Sequence, residues 1–140
     1  MKLKDRIEII NRNRVVDSRG WFLKIITGKE NALPPYTGEV YSIMALPGET
    51  RANHYHLHAN EWFTLIIGKA IMELEDIDTM EKLSIELDAE TPMTIFVPSR
   101  IAHRFMNSSN EEPYILLTYT DQLYKSEDTL PYSFENRKRI

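Results

Sequence analysis

Four histidines occur in the chain, and three of them stand where they could share one task. His54 and His56 are two apart, so on a β-strand both imidazoles leave the same face. Glu61 follows after four intervening residues. His103, in the segment VPSRIAHRFMN, is preceded by a Pro-Ser-Arg turn and can return to the same point from a second strand. Imidazoles and a carboxylate that converge make a site for a divalent transition ion, with zinc, iron, manganese, nickel or copper all compatible. His54, His56, Glu61 and His103 are therefore the expected ligands. His58 lies on the same face by a count of two and reads as a loop histidine.

Strands must carry these groups, and the pattern supplies them. Trp21–Thr27, Val40–Leu46, Glu61–Ile67, Ala70–Glu75, Lys82–Leu87, Met93–Val97, His103–Asn107 and Tyr114–Thr120 read as strands. Leu83, Ile85 and Leu87 alternate with Ser84 and Glu86, as in a half-buried strand. Met1–Ile10 fits either period and is assigned to a strand that pairs with another element or subunit. Pro47-Gly48, Gly68-Lys69 and Asp17-Ser18-Arg19-Gly20 mark turns. About ten short strands, with turn signals every eight to twelve residues and no sustained helical period, predict an all-β barrel or sandwich. The final stretch, Asp121–Ile140, reads as a lid or coil over one end, with Arg137-Lys138-Arg139 a solvated tail.

Length and composition set the bounds. A chain of 140 residues is one domain, able to bury about two-thirds of the surface its unfolded form exposes. Apolar residues at 42% and charged residues at 27% are ordinary for a globular protein. A net charge of −4 with interspersed signs argues against a nucleic-acid partner. The absence of cysteine removes thiolate ligands and disulfides. No apolar run approaches the roughly 20 residues of a membrane span, so no membrane association is expected and a cytoplasmic location is the default.

Gly48, His54, His56, Glu61 and Gly68 stand at the spacings of the first motif of the cupin superfamily, and the chain resembles that superfamily over about 40–120. Pro98, His103 and Asn107 match its second motif, with Arg100 and Pro92 where glycines are usual. The resemblance implies a single-domain cupin jelly-roll barrel with a metal in its mouth. Asp17-Ser18-Arg19-Gly20-Trp21-Phe22 and Arg51-Ala52-Asn53-His54-Tyr55-His56 resemble segments of the dTDP-4-dehydrorhamnose 3,5-epimerase group. The latter segment is also similar to the motif of sugar 3,4-ketoisomerases. The run from Gly38 to His103 is similar to the C-terminal cupin domain of bifunctional capsular-polysaccharide enzymes that epimerise and then reduce a nucleotide sugar.

These resemblances imply proton chemistry beside the ketone of a 4-keto-6-deoxy nucleotide sugar for surface polysaccharide, with reduction left to another protein. They imply a homodimer formed through an N-terminal strand. Arg19 and Arg51 match positions that contact the nucleotide diphosphate, a task suited to guanidinium groups. The histidine matching His54 is the base in the metal-free epimerases, but a lone pair that binds a metal cannot also accept a proton. With His56 and Glu61 completing a ligand set, His54 is read as ligand, leaving His58, a tyrosine or a metal-bound hydroxide as base. Lys24 replaces a glutamate of that group, and Gln122 falls near its acid tyrosine, so Tyr119 or Tyr124 is the substitute. Two readings from other classes stand beside this one: a non-catalytic metal-binding cupin for a small sugar or acid, and a metal-dependent dioxygenase.

Overall fold

Side-chain alternation organises the sheets. Along Tyr114–Thr120, Tyr114, Leu116, Thr118 and Thr120 are buried while the residues between them are half-exposed, the period of two that a strand with one covered face requires. The computed structural model describes residues 1–134, with twelve strands among them. They are β1 (Glu8–Asn11), β2 (Arg14–Asp17), β3 (Gly20–Leu23), β4 (Glu39–Ala45), β5 (Thr50–His56) and β6 (Glu61–Ile67). The second half of the chain adds β7 (Lys69–Asp76), β8 (Lys82–Asp88), β9 (Met93–Val97), β10 (Ile101–Met106), β11 (Tyr114–Thr120) and β12 (Thr129–Pro131).

Two five-stranded antiparallel sheets face each other, in the orders β1-β9-β6-β11-β4 and β12-β5-β10-β7-β8, while β2 and β3 form a separate hairpin. Neighbours distant in sequence, such as β6 beside β11, are the crossovers of a jelly roll. Phe63, Leu65, Ile95 and Leu116 from the first sheet meet Met72, Leu74, Ile85 and Phe105 from the second. Burying each such large apolar side chain contributes about 1.5–3 kcal/mol. No helix among the described residues is long and apolar enough to cross a membrane.

Three segments depart from the sequence expectation. Met1–Ile10 splits into a helical turn, Leu3–Arg6, and the short β1, which pairs along one edge with β9 of the same chain. The strand expected over Trp21–Thr27 ends at Leu23, because side chains and not a ladder hold Lys24–Thr27. Arg12 donates to Thr94 Oγ1 at 2.9 Å and to the Ile25 carbonyl at 2.5 Å, and it pairs with Glu30. Burial would raise the Glu30 carboxyl, but Arg12 and Thr27 outweigh it and hold the group at about 2. The stretch expected as a coil after Asp121 instead contains a 3₁₀ turn, Ser126–Asp128, and β12 on the edge of β5. The basic tail Arg137-Lys138-Arg139 lies outside the described residues.

Two motif positions show why residue type matters here. Gly68 links β6 to β7 at φ 89°, and a Cβ there would stand 2.7 Å from the Pro113 carbonyl oxygen. Arg100 takes the glycine place of the second motif at φ 68°, a left-handed conformation that costs a side-chain-bearing residue about 1 kcal/mol. Its backbone N–H donates to the His56 carbonyl at 2.7 Å, and its guanidinium grips Asp78 at 2.9 and 2.7 Å. That turn therefore ties the approach to β10 to the end of β5.

Candidate metal centre and its cavity

Register brings the candidate ligands together. His103 of β10 lies opposite His54 of β5, while Arg104 lies opposite Ala52, so Asn53 is an extra residue on β5. Ala52 and Asn53 form this bulge with φ values of 80° and 56°. The bulge tightens the local twist, and Asn53 O is held by the Tyr132 N–H at 2.8 Å. Beyond it, His54 and His56 project towards the space between the sheets. Glu61, the first residue of β6, enters that space from the opposite sheet.

One nitrogen from each of His54, His56 and His103 lies within 4.8 Å of the others. Glu61 Oε1 stands 2.9 Å from His56 Nε2 and 3.5 Å from His103 Nε2. The 2.9 Å approach is close enough for an ion pair when His56 is protonated. Those three atoms are buried without a hydrogen-bond partner. Leaving buried polar atoms unpaired costs about 1–3 kcal/mol each, so a convergent set of them is a site that favours an added electrophile. The donor types fit a divalent cation: three imidazoles and one carboxylate.

Outer groups fix how the donors point. The Nδ1 of His103 lies 3.1 Å from the Ile101 carbonyl, which accepts its proton and leaves the Nε2 lone pair facing Glu61. His56 Nδ1 is 3.4 Å from Thr129 Oγ1 and 3.9 Å from Asp128. The Tyr41 hydroxyl donates to Glu61 Oε2 at 2.7 Å. Asp128 also accepts the His58 and Ala59 backbone N–H groups, at 2.9 and 3.2 Å, fixing the loop between β5 and β6.

Charge in the centre follows from these contacts. Burial, helped by the neighbouring His103 and His56, lowers His54 to about 3, so its imidazole is neutral. Burial lowers His103 as well. For His56, burial acts downward but the adjacent Glu61 more than reverses it, so the ring is raised above its ordinary value. Burial pushes Glu61 up, and the surrounding histidines and Tyr41 bring it down to a net lowering. Burial and the Glu61 charge raise the Tyr41 phenol. A base as weak as His54 is poorly matched to proton abstraction near neutral pH, whereas a neutral imidazole is what a cation needs.

The centre forms the floor of a cavity of about 430 Å³. Ile43, Phe63 and Phe105 supply apolar wall, while Arg51, Gln122, Tyr124 and Lys125 stand around it. Arg51 donates to the Met44 carbonyl at 2.7 Å. Tyr124 is 69% exposed. The remaining candidates lie elsewhere. Arg19 sits in the β2–β3 turn, exposed and paired with Asp17 at 2.6 Å, and does not line the cavity. Tyr119 accepts the Gly38 N–H at 3.1 Å and packs on Trp62. His58 lies in the loop after β5 and does not line the cavity, nor does Lys24. Sequence reasoning missed Tyr41, Lys125, Asp128 and Thr129. The period of two in β4, which puts Glu39, Tyr41 and Ile43 on the cavity side, was a readable signal for the first; nothing local marks the other three.

A jelly roll with three histidines and a glutamate converging between its sheets is a cupin. The model of the polysaccharide biosynthesis C-terminal domain matches residues 15–131, and the chain belongs to that family. No curated protein matches it by sequence. Among solved structures, it is similar to a dTDP sugar isomerase from Desulfovibrio desulfuricans G20, with a TM-score of 0.82 and 14% identity over 91% of this chain and 83% of that one. It is similar to the dTDP-6-deoxy-D-glucose-3,5-epimerase RmlC of Legionella pneumophila, with a TM-score of 0.83 and 16% identity over 96% and 76%. For the capsular polysaccharide assembling protein CapF of Staphylococcus aureus the TM-score is 0.65, with 21% identity over 87% of this chain and 32% of that one. The chain thus spans about a third of CapF's length. At these identities the likeness establishes the fold.

Proposed function

We propose that the protein moves a proton beside the ketone of a 4-keto-6-deoxy nucleotide sugar, as an epimerase or ketoisomerase of surface-polysaccharide synthesis. The observation that carries this is the combination in one cavity of a three-histidine cluster with Glu61 beside it, apolar walls and cationic side chains, Arg51 and Lys125. A diphosphate suits the guanidinium and ammonium groups, and a deoxysugar suits the walls around Phe63 and Phe105. His54, His56, Glu61 and His103 would hold a divalent cation, which supplies Lewis acidity at a carbonyl oxygen. Tyr124, beside the cavity, is the side chain assigned to proton exchange with the sugar, because His54 is a weak base directed into the donor set. The relatives named for sugar isomerisation and epimerisation share this fold and support the assignment.

The test is solvent deuterium uptake, by mass spectrometry, into dTDP- and UDP-linked 4-keto-6-deoxyhexoses incubated with the protein in heavy water. Label is expected on one of them, lost on treatment with a chelator and reduced in Tyr124→Phe. Label that survives chelation would return His54 to the role of base. Tight binding without label would make the protein a binding module.

A second copy is proposed to pair through the N-terminal region. Among the described residues no strand pairs with the outer edge of β1, and the hairpin after it exposes Val15, Val16, Trp21 and Phe22 at 45–66%. Val15 pairs with Phe22 and Val16 with Trp21, so both faces of the hairpin are apolar, and a two-stranded hairpin is marginal without cover. Light scattering should give twice the mass of the chain, falling to one chain in a Trp21→Glu, Phe22→Glu variant. A monomeric wild type would refute the pairing.

A further inference from the structure

The two oxygens of Glu61 have different neighbourhoods. Oε2 accepts the Tyr41 hydroxyl at 2.7 Å, whereas Oε1 faces His56 and His103 without a hydrogen bond. Glu61 is 2% exposed, so bulk water does not compete for Oε2. The donor arrives by strand register: Tyr41 of β4 lies opposite Thr118 of β11, and Thr120 of β11 lies opposite Glu61 of β6. The phenol is thus carried by a strand two places away in the same sheet, and its own position is set by the ladder.

From this we infer that Tyr41 is a positioning residue that occupies one oxygen of Glu61, confines the carboxylate to single-oxygen donation, and so biases the centre towards four-donor transition ions. The inference rests on the metal reading above. A carboxylate free to use both oxygens suits ions that take six or more oxygen ligands, while one oxygen beside three imidazoles suits zinc or cobalt. Tyr41 therefore bears on which ion the site accepts as well as on how tightly it holds it. Groups that orient metal ligands through a hydrogen bond are typically worth 10–100-fold in affinity.

The experiment titrates cobalt(II) chloride, and separately manganese(II) chloride, into the metal-free wild type and into Tyr41→Phe. Calorimetry gives the affinity, visible absorption the ligand field, and circular dichroism the fold and melting temperature. The wild type is expected to take one equivalent of cobalt. Tyr41→Phe should bind it 10–100-fold more weakly, with a changed visible spectrum and a smaller preference for cobalt over manganese, and with a lowered metal-free melting temperature because Oε2 loses its buried partner. Equal affinity or a superimposable spectrum would overturn the inference, since a lowered melting temperature alone marks a purely structural role. A wild type that binds no cobalt would overturn the metal reading and the inference with it, before the variant is compared. Should Tyr41→Phe not fold, Tyr41→Met also removes the hydroxyl and is read in the same way.

Discussion

His103→Gln should lower the affinity for the proposed cation by on the order of 10²–10³ and abolish its stabilisation of the fold. Four-ligand zinc sites contribute about 10–16 kcal/mol, or roughly 3 kcal/mol for each donor, and about 1.4 kcal/mol is a factor of ten. His103 is 1% exposed, opposite His54 and 3.5 Å from Glu61, so its loss removes a donor from the interior of the centre. In the wild type, cation at about 100 times its dissociation constant adds about 2.7 kcal/mol to stability. For 140 residues that raises the melting temperature by roughly 10 °C. At the same concentration the variant should gain a fraction of a kcal/mol, a shift of about 1 °C. Differential scanning fluorimetry with and without cation reads both. An equal shift in the two proteins, or none in the wild type, would defeat the four-donor assignment.

Phe105→Ala should be the costlier change for the fold itself, at about 3–5 kcal/mol out of a total of about 5–15. The side chain is fully buried, with its ring 4.9 Å from Phe63 and 6.0 Å from His103. Its removal leaves a cavity in the core just where the two sheets support the histidines. The melting temperature should fall by roughly 10–15 °C, and urea midpoints should fall in step with an unchanged slope. Added cation should restore part of the loss, because the donors are all retained. A loss below about 1 kcal/mol would mean that neighbouring side chains collapse into the space and that Phe105 does not support the centre.

Both predictions turn on residues that were legible in the chain as written. His54 and His56 are two apart, Glu61 follows at a fixed distance, and His103 and Phe105 alternate along one strand; a period of two converts those spacings directly into shared faces. Alternation and turn residues likewise determined that the domain is all β. Folding corrected the sequence where a long-range side chain overrode a local pattern: Arg12 and Glu30 fasten the chain after Leu23 as a loop, although Lys24–Thr27 alternates like a strand. It also placed the two candidate arginines apart. β5 carries Arg51 to the cavity, while the β2–β3 turn holds Arg19 against Asp17.

The sequence by itself determined which histidines and carboxylate come together and the kind of fold, because spacing along a strand fixes which side chains share a face. The tertiary structure alone decided what surrounds those donors. Tyr41 reaches Glu61 across 20 residues of sequence, Asp128 caps the loop after His56 from 70 residues away, and Thr129 meets His56 across 73. Such contacts depend on strand order and register, which are set by packing two whole sheets and leave no local mark in the chain.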